Sequence, residues 1–212
     1  VGDADARFRE DALRILRALR FAATLGFTFT PDTADALLRH HAHLRHVSAE
    51  RIGVEMQKLV CGRHAQAVLH AYPQVVQPFL HAFEVQGISA LAPDLVPRLS
   101  LLLSCQTRTQ AQETLRRLHI AKESRRRIDA VLLALSQPPF ADRVSVYRML
   151  GQLGEENVRV LLSVRQAHGE DIAQQLTLLK QALLEGGWSR NTLAISGKDL
   201  IAEHVPEGKE IG

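Results

Sequence analysis

Four charged residues at three-residue intervals are the first feature of this sequence whose types and spacing could do chemistry. They are Asp11, Arg14, Arg17 and Arg20, within ARFREDALRILRALRFAATLGF at residues 6–27. On a helix over 7–25, residues three apart are neighbours, so Asp11 and Arg14 could present their side chains together. A carboxylate supplies acceptors and a guanidinium supplies donors, which together match the mixed edge of a nucleobase. The remaining arginines could neutralise a triphosphate.

The same stripe has a plainer interpretation, because a surface helix needs a polar face. Apolar residues such as Ile15, Leu16 and Leu19 share the opposite side of the expected helix, which predicts that this side packs against a core. The arginines would then be solvated and form ion pairs within the helix, each worth only about 0.2–0.5 kcal/mol. The spacing alone leaves both interpretations open.

Helical periodicity fills the chain, and strand signals are nearly absent. The only short candidate for a strand is GFTFT at 26–30. Capping residues such as Asp32, Ser48 and Ser196 support several helix starts. We expect an all-α protein, an elongated array of helices near 7–25, 33–45, 48–61, 64–71, 74–85, 94–104, 108–119, 121–136, 143–152, 155–168, 171–185 and 197–203.

Two breaks rich in Gly and Pro, around 87–93 and at 137–139, divide these helices into three blocks. The expected domains are residues 1–86, 87–141 and 142–212. The chain opens with Val1 rather than methionine, so we expect it to be a piece of a longer protein.

Composition narrows the possible functions. The net charge of +3 and the pI near 9.1 point weakly to a polyanionic partner, and the 5% aromatic content disfavours platforms on which bases stack. Cys61 and Cys105 fit no disulfide framework or metal spacing, so we expect them to be core residues of a cytoplasmic protein. No apolar run is long enough for a membrane span.

A second concentration of cations lies in the middle of the chain. Such a patch across two helices can follow a phosphate backbone, and its binding should be sensitive to salt. Solvation of each side chain is the alternative. The six cations within twelve residues are Arg116, Arg117, Lys122, Arg125, Arg126 and Arg127, and Arg143, Arg148, Arg159 and Arg165 extend the supply.

Histidines and a carboxylate motif are the remaining candidates for metal binding. His40, His41, His43 and His46 lie close together, but no Cys, Asp or Glu sits nearby at matching positions, so we expect a surface or RNA-facing role. Residues 2–5 spell G-x-x-D with a D-x-D, yet they precede a helix instead of following a strand. Trp188 is expected to anchor packing.

The segment GDADARFREDALRILRALRFAATLGF resembles the neck helix of the class II tRNA nucleotidyltransferases, the CCA-adding enzymes, and of the related bacterial poly(A) polymerases. Its Glu10-Asp11-Ala12-Leu13-Arg14 matches the family's E-D-x-x-R motif. The resemblance implies that Asp11 and Arg14 read the base of ATP or CTP and that Glu10 braces the helix. It also implies that Arg17 and Arg20 complete the nucleotide site.

Three further segments resemble the same family in the same order. VSAERIGVEMQKLV at 47–60 is similar to the motif in which Glu50, Arg51 and Glu55 would support the base-reading helix, although Arg51 and Glu55 also have the spacing of an ordinary ion pair within one helix. ETLRRLHIAKESRRRIDAVL at 113–132 is similar to the body. LAISGKDLIAEHVPEGKEIG at 193–212 is similar to the tail of the CCA-adding branch, with departures at His204 and Lys209.

The resemblance implies a neck (1–86), a body (87–141) and a tail (142–212), with body and tail gripping the acceptor stem and TΨC region of tRNA. The family's catalytic metals are held in an N-terminal head that this chain lacks, so Mg²⁺ is expected only with that head and this chain alone should not transfer nucleotides. A poly(A) polymerase portion, a non-catalytic helical RNA-binding module and a scaffold for protein partners are the alternatives. The choice among adding CCA, CC or A stays open.

Overall fold

In a computed structural model, which describes residues 3–186, the chain folds into eleven α-helices and two 3₁₀ helices, and no strand occurs among these residues. The all-α prediction is therefore confirmed for this part of the chain. The expected helix at 197–203, its cap Ser196, Trp188 and the segment 193–212 lie outside it. The α-helices are α1 Ala4–Glu10, α2 Leu13–Leu25, α3 Pro31–His40, α4 Ala49–Val60, α5 Ala65–Ala71, α6 Pro73–Leu80, α7 Leu95–Leu102, α8 Arg108–Arg117, α9 Lys122–Leu135, α10 Arg143–Ala167 and α11 Ala173–Glu185; the 3₁₀ helices are His41–His46 and Ile88–Ala90.

The single helix predicted over 7–25 is wrong at one point, because it is two helices with a break at Asp11. The backbone of Asp11 is extended, with φ −149° and ψ 105°. Its carboxylate accepts a hydrogen bond from the Leu13 N–H at 3.0 Å, at the start of α2. A short acidic side chain competes in this way with helical backbone bonding, which favours a break or a cap over a helix interior.

Two other expected boundaries also moved. The helix expected over 33–45 ends as an α-helix at His40 and continues as the first 3₁₀ helix. The helices expected at 143–152 and 155–168 are one element, α10, with a kink at Gly154, whose φ of 75° suits glycine. The stretch at 26–30 is not a strand.

The buried side chains form two clusters. The first contains residues of α1 to α9 together with Val164 of α10, and it runs without interruption across the boundary expected near 87, where Leu80, Ile88 and Leu91 all belong to it. The second joins the end of α9 to α10 and α11, and it already includes Ala134 and Phe140. The division at 86, 141 and 142 stays a prediction, but the first two blocks share one core.

Helix α4 packs against α2 on one side and against the end of α8 on another. Gly53 makes this approach possible, because a Cβ at that position would overlap the carbonyl of Leu118. The side chain of Gln57, one turn further along α4, donates to the same carbonyl at 3.1 Å. Helix α4 therefore connects the arginine stripe to the region of the second cation cluster.

Candidate functional site

The motif residues Glu10 and Arg14 face each other across the break between α1 and α2. The Arg14 Nη1 lies 2.5 Å from the Glu10 Oε2 and 3.1 Å from the Arg7 carbonyl oxygen. The hydrogen bond from Arg14 lowers the pKa of Glu10, so this carboxylate stays ionised. Arg14 is partly exposed, and these contacts hold its guanidinium in one orientation.

The Asp11 carboxylate is held from α4. Its Oδ2 accepts from the Arg51 Nη2 at 2.9 Å, while its Oδ1 accepts from the Leu13 N–H. Partial burial raises the pKa of Asp11, but the Leu13 N–H and the guanidiniums of Arg51 and Arg14 outweigh it and leave that pKa below its usual value. Asp11 is thus an ionised acceptor beside a braced arginine.

Arg20 also makes its main contact with α4. Its Nε lies 2.9 Å from the Glu55 Oε2, and both side chains are largely buried. The two atoms form an ion pair but are not aligned for a hydrogen bond. The Arg20 guanidinium lies 4.1 Å from the centre of the Phe21 ring, a cation–π distance.

The ion pair considered between Arg51 and Glu55 within α4 is therefore wrong. Each side chain bonds across to the stripe instead, Arg51 to Asp11 and Glu55 to Arg20. Cross-helix partners are available because the polar edges of α2 and α4 lie side by side. Arg17 and Glu50 are exposed and form no ion pair within residues 3–186, which leaves Arg17 the cation of the stripe most open to a ligand.

The second cation cluster is divided by the fold. Four of its members line one cavity of about 290 Å³ between α8 and α9, together with Gln112, Leu115 and Asp129. Arg125 contributes a buried Nε with no hydrogen-bond partner among the described residues. The Asp129 carboxylate is neutralised by a bidentate contact from Arg108, at 3.0 and 2.7 Å, which lowers the pKa of Asp129. The four cations are Arg116, Lys122, Arg125 and Arg126.

The other two members turn away from this cavity. Arg127 donates to Asn157 at 2.9 Å and to Glu156 at 2.7 Å, both on α10. Arg117 donates to the Pro78 carbonyl at 3.2 Å and lies 2.9 Å from the His81 Nε2. Sequence reasoning missed these partners because they lie about thirty to forty residues away along the chain.

Most of the further arginines expected to add to the phosphate-binding surface form ion pairs with carboxylates within the fold. Arg165 is buried and donates to Glu170 and to the Ala134 and Gln137 carbonyls, so its expected phosphate role is wrong. Arg143 pairs with Glu185 at 2.8 Å. Arg159 pairs with Glu155 at 2.8 Å on the same helix.

The carboxylate motif and the histidines meet at a second ion-pair cluster. Asp5 accepts from Arg39 at 2.7 Å and lies 2.7 Å from the His40 Nε2; Arg39 and then His40 lower the pKa of Asp5. Residues 3–186 contain no group of three or more His, Cys, Asp or Glu placed to hold a metal ion.

The cysteines differ from each other. Cys105 is exposed, so its expected core position is wrong, because it lies in the turn after α7. Cys61 is half-buried, and burial raises the pKa of its thiol. Within residues 3–186, none of the helices has the length and apolar character that crossing a membrane requires.

Comparison with known proteins adds independent information. A family model described as "Probable RNA and SrmB- binding site of polymerase A" matches residues 26–72. The CCA-adding enzyme of Levilactobacillus brevis is 30% identical over 231 residues, which cover all of this chain and 56% of that protein. A crystal structure of the Bacillus stearothermophilus CCA-adding enzyme in complex with CTP superposes with a TM-score of 0.79 and 28% identity, over 99% of this chain and 56% of that one.

Along its whole length, the chain is similar to CCA-adding enzymes. Sequence identity is higher over a shorter segment. The CCA-adding enzyme of Geobacillus stearothermophilus is 45% identical over 83 residues, which are 39% of this chain and 20% of that protein. The chain spans a little more than half the length of the CCA-adding enzymes that match it from end to end.

Proposed function

We propose that this chain is the nucleotide- and tRNA-binding portion of a nucleotidyltransferase that adds CCA, CC or A to tRNA 3′ ends from CTP and ATP. The observation that carries this proposal is the superposition of 99% of the chain on a CCA-adding enzyme crystallised with CTP. In this proposal the chain, which spans a little more than half the length of its relatives, is part of a longer, cytoplasmic polypeptide that also carries a catalytic head.

In this proposal Asp11 and Arg14 read the base edge. Asp11 is an ionised acceptor and Arg14 a donor with unused N–H groups, so the pair offers the mixed edge that nucleobase recognition needs. Glu10 fixes Arg14, and Arg51 fixes Asp11. Rigid support of this kind reduces the entropy lost when a ligand binds.

The arginines of the stripe then divide their roles. Arg17 is exposed and would contact the triphosphate directly. Arg20 would act from behind, because Glu55 already holds its guanidinium between α2 and α4. Glu50 is exposed beside Arg51 at the start of α4 and would support that end of the site.

The metal chemistry belongs to the proposed head. Mg²⁺ would polarise the α-phosphate and activate the attacking 3′-hydroxyl there. The described residues offer no matching carboxylate set, so no step is assigned to this chain beyond binding and orienting the nucleotide and the RNA.

The RNA side of the proposal rests on the cavity between α8 and α9. Four cations converge there, and Asp129, the one carboxylate that residues 3–186 contribute to the lining, is paired with Arg108. Arg116 also lies 3.7 Å from Glu113 on the surface of α8, so the other three cations are the less neutralised ones. Such a site suits a phosphate group of the acceptor stem or TΨC region, which tRNA presents by shape rather than by sequence.

Replacing Asp11 or Arg14 with Ala in the full-length protein tests the base-reading role. Each change removes half of a paired contact that is worth about 1–3 kcal/mol, so discrimination between ATP and CTP should fall by about 5- to 150-fold. Competition between the two nucleotides at fixed tRNA measures the ratio. The matched control Asp32→Ala, at an exposed position of α3, should leave the ratio unchanged. Intact discrimination in both site variants would refute the base-reading role.

A poly(A) polymerase portion is the second candidate, favoured by the match of residues 26–72 to a family model that is named for polymerase A. Binding to tRNA without its CCA end, compared with unstructured RNA of equal length at two salt concentrations, separates the two. A salt-sensitive preference for tRNA supports the CCA-adding branch, and equal binding supports the poly(A) branch. With CTP, ATP and Mg²⁺ added, this chain alone should transfer no nucleotide.

A further inference from the structure

A second cavity, of about 520 Å³, lies on the surface where the first 3₁₀ helix and the start of α4 face the ends of α6 and α8. Its walls are mainly apolar, with Leu44, Ile52 and Leu118 buried and Phe79 half-buried. No aspartate or glutamate contributes to the lining that the described residues provide. Three side chains, His41, Arg45 and Arg117, supply its basic character.

The two arginines of this cavity are held by histidines instead of carboxylates. The Arg117 Nη1 lies 2.9 Å from the His81 Nε2, and the Arg45 Nε donates to the His46 Nε2 at 3.0 Å. A ring nitrogen that accepts a hydrogen bond is uncharged, so it orients each guanidinium without cancelling its charge. Many arginines described above, by contrast, pair with carboxylates.

The backbone of His81 also indicates that this cavity is a functional site. His81 ends α6 with φ 56° and ψ −132°, a conformation that residues other than glycine rarely adopt. Strain of this kind persists where the surrounding structure enforces it, and it is concentrated at functional sites. Here the conformation accompanies the contact between the His81 ring and Arg117.

This cavity combines apolar walls with two guanidiniums that no carboxylate of its lining neutralises. That combination suits a nucleotide, which has a flat apolar body and an anionic edge. One wall, from the 3₁₀ helix and α4, lies within the residues matched by the family model whose description names RNA binding. The opposite wall, Pro78, Phe79, Arg117 and Leu118, lies outside that match and completes the cavity.

We propose that this cavity receives one unstacked base of the bound RNA, with the adjoining phosphate held by Arg45 and Arg117. The inference rests on the proposed RNA-binding function and adds a specific subsite to it. Because the cavity offers few polar groups, the base binds by apolar contact and without marked sequence preference.

The test compares an oligouridylate of about twelve nucleotides with an abasic strand of the same length and charge. The full-length protein should bind the oligouridylate about tenfold more tightly, because one base enters the cavity. Ala49→Phe, which fills the cavity, should abolish this preference while preserving salt-sensitive binding to both strands. Ala67→Phe, the same change at an exposed position of α5, is the matched control and should keep the preference.

Arg117→Gln provides a second variant with a different expected result. It should weaken binding of both strands by several-fold, because it removes a phosphate contact. Lys180→Gln, which removes a charge at an exposed position of α11, should change binding little. Circular dichroism of each variant verifies the fold.

Three outcomes overturn the proposal, and they can be told apart. Equal binding of both strands by the unaltered protein would leave RNA binding intact but refute the base subsite. A preference that survives in Ala49→Phe would place the base elsewhere and leave the cavity to another occupant, such as a protein. Absence of binding to either strand or to tRNA would overturn the proposed function together with the subsite.

Discussion

At the scale of single residues, Arg98 shows how a buried charge can be structural. Its side chain is almost fully buried in α7, and its guanidinium donates to the carbonyls of Val60, Gly62, Leu91 and Ala92. Burial lowers the pKa of Arg98. One side chain thus satisfies carbonyls at the end of α4 and in the loop before α7, groups that are costly to leave unpaired.

Arg98→Met should therefore destabilise the fold strongly, although the new side chain is apolar and of similar length. Loss of the donors leaves several buried carbonyls unsatisfied, at about 1–3 kcal/mol for each, so we expect a loss of at least about 3 kcal/mol. Urea denaturation followed by circular dichroism measures it. Arg159→Gln, on an exposed pair within α10, should cost no more than about 0.5 kcal/mol, and similar losses in the two variants would contradict this role of Arg98.

At the scale of elements, α4 is the helix on which both proposed sites depend. One face bonds to the arginine stripe through Arg51 and Glu55, and another packs closely on the end of α8 at Gly53. Ala49 and Ile52, on the same helix, line the proposed base subsite. A displacement of α4 would therefore disturb nucleotide and RNA contacts together.

Gly53→Ala tests this close packing. Alanine normally stabilises a helix relative to glycine by about 0.5–1 kcal/mol, but here its methyl group would overlap a backbone carbonyl. We expect a net loss of about 1–3 kcal/mol and a lower melting temperature. Gly151→Ala, at an exposed position in α10, is the matched control and should be stabilising; a neutral Gly53→Ala would show that α4 and α8 can separate without cost.

At the scale of the whole molecule, the net charge of +3 does not show which cations are paired with carboxylates and which are open to a ligand. Arg127, Arg143, Arg159 and Arg165 are taken up by carboxylates within the fold. Among residues 3–186, the cations that we propose for contact with a polyanion lie at three places: Arg17 on α2, the cavity between α8 and α9, and the rim of the proposed base subsite.

The salt dependence of tRNA binding should report this distribution. Arg126→Gln and Lys122→Gln should each weaken binding to all tRNAs alike and reduce the slope of log K against log salt by roughly one. Fluorescence anisotropy over a range of salt concentrations measures the slope. Lys180→Gln should leave it unchanged, and an unchanged slope in the two cavity variants would exclude them from phosphate contact.

The sequence by itself determined the features that depend on neighbours along the chain. Helical periodicity established the all-α class, because apolar residues at helical spacing must bury one face of each helix. The position of the E-D-x-x-R motif and of the cation cluster could also be recognised directly. The break at Asp11 was missed because the same residues satisfy helical periodicity and a local side-chain cap, and the cap prevails.

Only the tertiary structure decided which charges remain available to a ligand. Arg51 bonds to Asp11 forty residues away instead of to Glu55 on its own helix, and the six-cation cluster splits because α10 and the end of α6 take Arg127 and Arg117. The base subsite likewise joins residues near 45 to residues near 79 and 117. Spacing within a helix limits which side chains are neighbours, but packing between helices chooses the partner, and that choice separates structural arginines from those that can bind a phosphate.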